Sequence, residues 1–498
     1  MLQLIMKKLL LFSLLLYKSI LLSQTVLNTY PLHLNNPLEN GQALNIEDVK
    51  THDIYVFAAD DKKINILKYN KSLFLTNQFS DTLRHVDDRT LIGHSISEDG
   101  NPTLYWSSQN TRNLRIIKYY LDTKTSRALN YDFPENIEYF VSTFQKNNIF
   151  YILGKERNQQ NLVLYEFQNG KCEIKMFDFS GIPFQNERGQ KFTFSSLIRY
   201  FPIQKMESDD FNALDKTSGL NKMYVFDDHI ILTFDYNSKK TQVLSLNMEN
   251  GEITEKNFEQ PVSKKPSKSS NSFYSQNKLF QVKASKDEFL FDIKDFDSER
   301  SIKSILISKN DTIRFKNSPI FLQVNNEKPQ ELKTTGKFLK QLYNLNVGVS
   351  VFKNKNNSVV TFGGFIEHIY SSFAYSPLDN MSLRGFDDMG IQQYSQSKMV
   401  SFDAMLNASN EFINNSQQEP LAIDNILYFL SINKNVTLQN ILKLKDYYIL
   451  SYYDNVLKQF VLRKFTDGFI REDNGNPIMN KSQFSRPAKF DKLKLIEN

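Results

Sequence analysis

In 498 residues the chain carries one cysteine, Cys172, one tryptophan, Trp106, and six histidines. A single cysteine excludes an intrachain disulfide, so stability in an oxidising compartment must come from the core, which a chain of this length can build. Cys172 alternates with Ile174 and Met176 against Lys171, Glu173 and Lys175. With no histidine near it in sequence, it reads as a small core residue rather than a nucleophile. There is no His-Glu-x-x-His, Cys-x-x-Cys, Gly-x-x-x-x-Gly-Lys or Gly-x-Gly-x-x-Gly, and no Gly-x-Ser-x-Gly elbow, which removes the common zinc, phosphate-loop, dinucleotide and serine-hydrolase signatures. No cofactor and no metal is expected. Asp295-Phe296-Asp297-Ser298-Glu299 resembles the start of a calcium loop. Arg300 stands where the turn glycine belongs and Leu306 where the bidentate acid belongs, so it reads as an acidic turn.

A charge of one sign is also missing. The formal charge of +6 falls to +3 once Lys7, Lys8 and Lys18 are removed with a leader that carries no acid. Lys264, Lys265 and Lys268 are the nearest approach to a basic patch, and they sit in a Pro/Ser-rich run that reads as a solvated loop. Nucleic-acid binding is not expected.

Long apolar runs are confined to the start. Lys7 and Lys8 precede the apolar residues 9–16, and Ser23 precedes Gln24, the charge–apolar–small order of an export signal over residues 1–23. Lys18 interrupts the run below the roughly 18 apolar residues a spanning helix needs. No cysteine lies at its end, which excludes lipid attachment there. The expectation is an exported protein, in the periplasm, associated with the outer membrane or extracellular, with no transmembrane segment in the mature chain.

What the sequence has is a repeat. A short apolar strand, a polar turn and an alternating strand ending in an aromatic recur at residues 54–57 with 64–69, 104–106 with 114–120, 149–153 with 162–167, and 230–236 with 243–246. Residues 136–179 show the whole unit: strands at 137–144, 149–153, 162–167 and 172–177, with Asn169-Gly170 as a hairpin turn. Residues 90–133 and 223–258 follow the same scheme, with turns at Asp99-Gly100 and Asn250-Gly251. Four antiparallel strands in about 45 residues match a propeller blade. Further units are expected at 279–308, 347–365 and 427–465, the last with strands at 427–432, 438–444, 447–453 and 460–465. The expected fold is all-β: a propeller of about seven blades, six and eight being within reach of the same pattern. One propeller-like domain over 24–498 is expected, with long insertions at 181–221 and 376–424. Its ring would close through residues 54–57 and 490–496, because an open edge invites aggregation. Two consecutive β domains divided near 261–272 would also fit the linker composition there, although the repeat resumes on both sides.

Ser97-Glu98-Asp99-Gly100-Asn101 followed by Leu104-Tyr105-Trp106-Ser107 resembles the blade motif of TolB-type and prolyl-oligopeptidase-type propellers, in which an Asp-Gly turn leads into a strand ending in Ser. The resemblance covers about a dozen residues and implies the fold; with no nucleophile elbow, it implies no peptidase domain.

Chemistry is sparser. The acid pairs Asp60-Asp61, Asp87-Asp88, Asp209-Asp210, Asp227-Asp228 and Asp387-Asp388 read as turn formers, because neighbours on a strand point to opposite faces and cannot flank one substrate bond. Trp106 is the only indole available as a stacking platform. Gly363-Gly364 followed by Glu367 and His368 reads as a bend between strands that could border a ligand site. Arg384, Phe386, Asp387 and Asp388, in the second insertion, suit partner contact. Catalytic residues are not identifiable. Two functions follow: an exported, non-enzymatic binding or scaffold protein of a bacterial cell envelope with a protein partner, or a propeller enzyme acting on glycans or peptides with acids drawn from several blades.

Overall fold

Tight turns set the pattern of the chain. Gly100, Gly170 and Gly251 sit at φ of +71°, +76° and +77°, the left-handed region that glycine enters without steric cost, and each follows Asp or Asn in a turn that joins two antiparallel strands. Central strands such as Asn161–Gln168 are rich in β-branched, leucine and aromatic residues buried on both faces, as expected when sheets stack face to face. Rim strands such as Thr125–Asp132 are almost wholly exposed and polar.

The computed structural model describes residues 24–468, apart from 40, 84–88, 109, 266–268, 326, 355–356, 374–390 and 415–418. Among these residues there are seven sheets of four or five strands and one two-stranded hairpin. Blade one runs from Gln42–Glu47 to Leu75–Thr82, blade two from Thr90–Ile96 to Thr125–Asp132, and blade three from Ile137–Lys146 to Lys171–Asp178. Blade four runs from Asn221–Val225 to Ile253–Glu259, with Ile203–Met206 added in parallel to its first strand, and blade five from Ser269–Ser275 to Ser301–Ser308. Blade six is ordered Asn346–Asn354, Asn357–Phe373, Ile391–Leu406, Ile320–Val324, Gln330–Leu332, so its two rim strands come from upstream in the chain. Blade seven comprises Val436–Lys443, Tyr448–Asp454 and Gln459–Phe465, and Gln24–Pro31 pairs antiparallel with the last of these. Apolar clusters join blade one to two, two to three, three to four, four through six, and seven back to one. The protein is an all-β propeller whose ring is closed by its N-terminal strand.

The closure differs from the expected one. Residues 54–57 lie in Ile54–Ala59, the second strand of blade one, and residues 490–496 fall outside the described residues. Gln24–Pro31 is half polar and lacks the strict apolar alternation by which the other strands are expected. The strand expected at 427–432 is also different: those residues belong to a helix. A short apolar run does not distinguish a buried strand from a buried helix, and here the Asp424 carboxylate accepts the Leu421 N–H at 2.9 Å and so caps a helical first turn.

Among the described residues four helices interrupt the strands. Phe194–Tyr200 (α1) starts at Thr193, whose hydroxyl accepts the Ser196 N–H at 3.2 Å while Ser196 Oγ accepts the Thr193 N–H at 3.1 Å, a reciprocal cap. It packs Phe194, Leu197 and Ile198 into the cluster between blades three and four. Leu214–Thr217 (α2) is a single turn, Thr335–Leu342 (α3) buries Phe338, Leu339 and Leu342, and Ala422–Ile432 (α4) covers one face of blade seven. Residues 181–221, expected as an insertion, hold the two-stranded hairpin, α1, Ile203–Met206 and α2. In the stretch 376–424, Ile391–Leu406 is a strand and α4 begins at Ala422.

Blade stacking leaves little slack. A Cβ on Gly93, in the first strand of blade two, would lie 2.1 Å from the Phe150 ring of blade three. That ring also packs at 4.5 Å on Tyr105. Gly93→Ala is therefore expected to cost about 1–3 kcal/mol through overpacking, measured as a drop in urea midpoint at unchanged m-value. An unchanged midpoint would show that the interface yields.

Candidate functional site

Blade six carries the feature that sets this ring apart. Asn357–Phe373 and Ile391–Leu406 pair without interruption from Ser358↔Leu406 to Phe373↔Ile391. Their flanking strands stop earlier: Asn346–Asn354 ends its pairing at Phe365, and Ile320–Val324 ends at Lys398. From Glu367↔Ser397 onward, seven residue pairs form a two-stranded ribbon with no third strand among the described residues. At about 3.3 Å per residue it reaches roughly 23 Å beyond the blade.

Glu367 and His368 lie on this ribbon, both exposed, opposite Ser397 and Gln396. Arg384, Phe386, Asp387 and Asp388 lie outside the described residues, in the segment 374–390 that connects the ribbon's two strands. Gly363 and Gly364 serve another purpose. They stand in mid-strand, paired with Gly348 and Val347 on one side and Ser401 and Val400 on the other, where the strand runs straight on rather than bending. A Cβ on Gly363 would fall 2.0 Å from the Val400 carbonyl oxygen and 2.8 Å from Leu214 of α2. One on Gly364 would fall 2.7 Å from Leu342 of α3. The pair lets two helices approach opposite faces of the blade.

The same close approach brings a long-range contact into the ring. The stretch before and including α2 leaves blade four and reaches blade six, where the Ser350 hydroxyl donates to the Asn212 carbonyl at 2.5 Å and a Cβ on Gly348 would meet the Ser218 backbone at 3.0 Å. It also reaches blade seven, where the Tyr448 hydroxyl donates to Asp210 Oδ1 at 2.5 Å. Burial, reinforced by the Asp210 charge, pushes the Tyr448 hydroxyl far above the usual phenol range. Lys443 lies 5.3 Å from the Phe352 ring, and Phe211 contacts the same ring edge-on at 6.3 Å. α4 covers the Tyr448, Leu450 and Tyr452 face of blade seven. The stretch 210–218 therefore bridges blades six and seven.

The remaining candidates are structural. Asp60 accepts the backbone N–H groups of Lys62 and Lys63 at 2.9 and 2.8 Å, and of Asn35 at 3.1 Å. Asp227 pairs with Lys146 at 3.0 Å and Asp228 with His229 at 2.6 Å. Asp87-Asp88 and Asp387-Asp388 lie outside the described residues. Asp295 accepts from the backbone and hydroxyl of Ser298 at 2.8 and 2.7 Å, within the turn between two strands of blade five. Trp106 is 1% exposed and belongs to the cluster between blades one and two, so it offers no stacking platform. Asp99 caps its turn by accepting the Asn101 N–H at 3.1 Å and pairs with Lys118 at 2.8 Å. Desolvation, which would raise it, is outweighed by these hydrogen bonds, and it falls to about 2. Cys172 is half-buried on the rim strand of blade three rather than central, 3.5 Å from the Tyr131 hydroxyl, and burial pushes its thiol up, away from thiolate reactivity. Among the described residues no group of three or more His, Cys, Asp or Glu is placed to hold a metal, and no helix is long and apolar enough to cross a membrane.

No family model matches the chain, and no curated protein does. Solved structures similar to it are propellers at very low identity. The WD40 domain of SCAP from fission yeast is 10% identical, with 91% of this chain and 90% of that one covered at a TM-score of 0.30. The Dos1 propeller is 8% identical, covering 90% and 88% at 0.32, and the polysaccharide lyase Uly1 is 10% identical, covering 87% and 91% at 0.31. These likenesses concern the fold alone, and the fold itself rests on the closed ring of sheets described above.

Proposed function

We propose that this protein is an exported, non-enzymatic binding or scaffold protein of a cell envelope, and that blade six presents its recognition element. The observation that carries the reading is the ribbon of seven residue pairs extending past both flanking strands of the blade. An unsupported two-stranded ribbon adds nothing to the blade-to-blade core. It offers strand edges in the geometry that peptide and strand recognition uses. The ring is the rigid base, and Arg384, Phe386, Asp387 and Asp388, which suit partner contact by residue type, lie in the sequence between the ribbon's two strands. Export rests on the leader, Lys7 and Lys8 before an apolar run and Ser23 before Gln24. Cleavage there leaves Gln24–Pro31 whole to close the ring.

The test is affinity purification with mass spectrometry from the native envelope, using the full protein beside a variant in which residues 367–397 are replaced by an Asn-Gly turn. The full protein is expected to recover a specific envelope protein. The shortened variant should recover it at least about tenfold less, the effect of losing a contact worth about 1.4 kcal/mol, while melting with the wild type. Equal recovery by both would remove the ribbon from the function. Recovery of the full protein alone, in a soluble fraction, would sink the scaffold reading.

A further inference from the structure

Away from blade six, the seam where the closing strand meets blade one contains a recess of about 320 Å³. Its wall comes from three parts of the ring: the end of the closing strand and the residues after it (Tyr30, His33), the last two strands of blade one (Lys63, Phe79, Ser80), and the final turn of blade two (Lys124). Two ammonium groups line it, and no Asp or Glu does. That imbalance is unusual in a chain whose acids and bases are otherwise interleaved.

Lys124 is positioned rather than loose. Its backbone is held at φ +54°, a conformation that costs a non-glycine residue of order 1–3 kcal/mol and persists where surrounding structure imposes it. Its ammonium donates to the Asn77 side-chain oxygen and to the Gln78 carbonyl. Tyr30 is fixed by donating its hydroxyl to Gln78 Oε1 at 2.5 Å, and Ser80 donates to Asn65 Oδ1 at 2.8 Å. The recess therefore offers two cations, aromatic surface from Tyr30 and Phe79, and fixed hydroxyl and amide groups. Its volume lies at the lower end of the range of small-molecule sites, roughly 300–1,000 Å³.

The geometry points to a binding site for a small hydroxylated anion of monosaccharide size, a carboxylated or phosphorylated sugar, with Lys63 and Lys124 neutralising its charge and the polar wall receiving its hydroxyl groups. Two cations with no internal carboxylate favour an anionic occupant. The polar and aromatic lining favours one that carries hydroxyls on a compact ring over a bare inorganic ion.

Isothermal titration with glucuronate and glucose 6-phosphate as probes, and with glucose and inorganic phosphate as controls, tests this. At least one of the two anionic sugars is expected to bind, and which one does identifies a carboxylate or a phosphate as the preferred charge. Lys63→Gln should weaken that binding by at least about tenfold, Lys63→Arg should retain most of it, and added salt should weaken it because Lys63 is only half-buried and Lys124 is exposed. Should Lys63→Gln fail to fold, Lys124→Gln, at an exposed turn, carries the same expectation. Binding by neither anionic sugar, glucose binding as tightly as its charged counterparts, inorganic phosphate binding as tightly as glucose 6-phosphate, or affinity unchanged by both glutamine variants would each overturn it. The ribbon-shortened variant should bind the same probe unchanged, so this site and the ribbon stand or fall separately.

Discussion

Replacing Asp235 with alanine is expected to destabilise the ring by about 3–5 kcal/mol, the cost of breaking a buried charge pair from one side. Asp235 lies on the second strand of blade four, 3.3 Å from Lys222 Nζ, and both side chains are fully buried. One carboxylate oxygen accepts from the Thr241 hydroxyl at 2.7 Å and from Gln260 Nε2 at 3.2 Å. The other accepts the backbone N–H and hydroxyl of Ser272, on the first strand of blade five, at 2.9 and 2.8 Å. Lys222 also donates to Asn271 Oδ1 at 2.5 Å, and Asn271 in turn donates to the Ser218 carbonyl at 3.1 Å. The network thus ties blades four and five to the inserted α2. Alanine at 235 leaves the Lys222 ammonium without its counter-ion and strips acceptors from three side chains.

The sign with pH follows. Burial already lowers Lys222, and Asp235 opposes that lowering. Without Asp235 the lysine falls further, so the deficit is largest at low pH and shrinks as pH rises toward the unfolded value. Urea melts of the single variant and of Asp235→Ala with Lys222→Met separate the causes. The double variant should recover part of the loss, since the stranded cation is gone, but not all of it, since the Ser272 N–H and hydroxyl lose their acceptor and Thr241 and Gln260 each lose one hydrogen bond. A single variant as stable as the wild type would show that the pair contributes nothing net.

This network also shows where sequence reading stops. The hairpin turns were legible because Asp-Gly and Asn-Gly act locally: Gly100, Gly170 and Gly251 take the positive φ that the dipeptides imply. Lys222 and Asn271 are 49 residues apart, Tyr448 and Asp210 are 238 apart, and no local pattern pairs them. Gly363-Gly364 was visible as unusual, but its reason, the approach of α2 and α3 from elsewhere in the chain, was not. The rim strands of blade six lie upstream of its first strand, so a reading that expects each blade to be consecutive cannot place Ile320–Val324. Of the candidate residues, Glu367 and His368 lie on the paired strands of blade six, and Arg384, Phe386, Asp387 and Asp388 lie outside the described residues. The sequence had no signal for the Lys63 and Lys124 recess, which is assembled from three separate segments.

His94 should dominate the acid limb of stability. It lies on the first strand of blade two, and its Nδ1 is buried without a hydrogen-bond partner. Desolvation alone pushes it down to about 3 from the ordinary 6.5. A histidine held neutral in the fold and free to protonate when unfolded stabilises the native state fully above about pH 6.5, and that contribution is lost as pH falls toward about 3. At 1.36 kcal/mol per unit, the wild type should lose roughly 2–3 kcal/mol between pH 7 and pH 4 through this group, after some allowance for its partial exposure. His94→Gln removes the titration while keeping a polar side chain of similar size. Urea unfolding of both proteins across that pH range isolates the effect, because every other titrating group is shared. The wild type should fall more steeply than the variant below pH 6.5, and the two curves should run parallel above it. Parallel curves throughout would show that water reaches His94 in the folded ring and that the imidazole titrates there as it does in the unfolded chain.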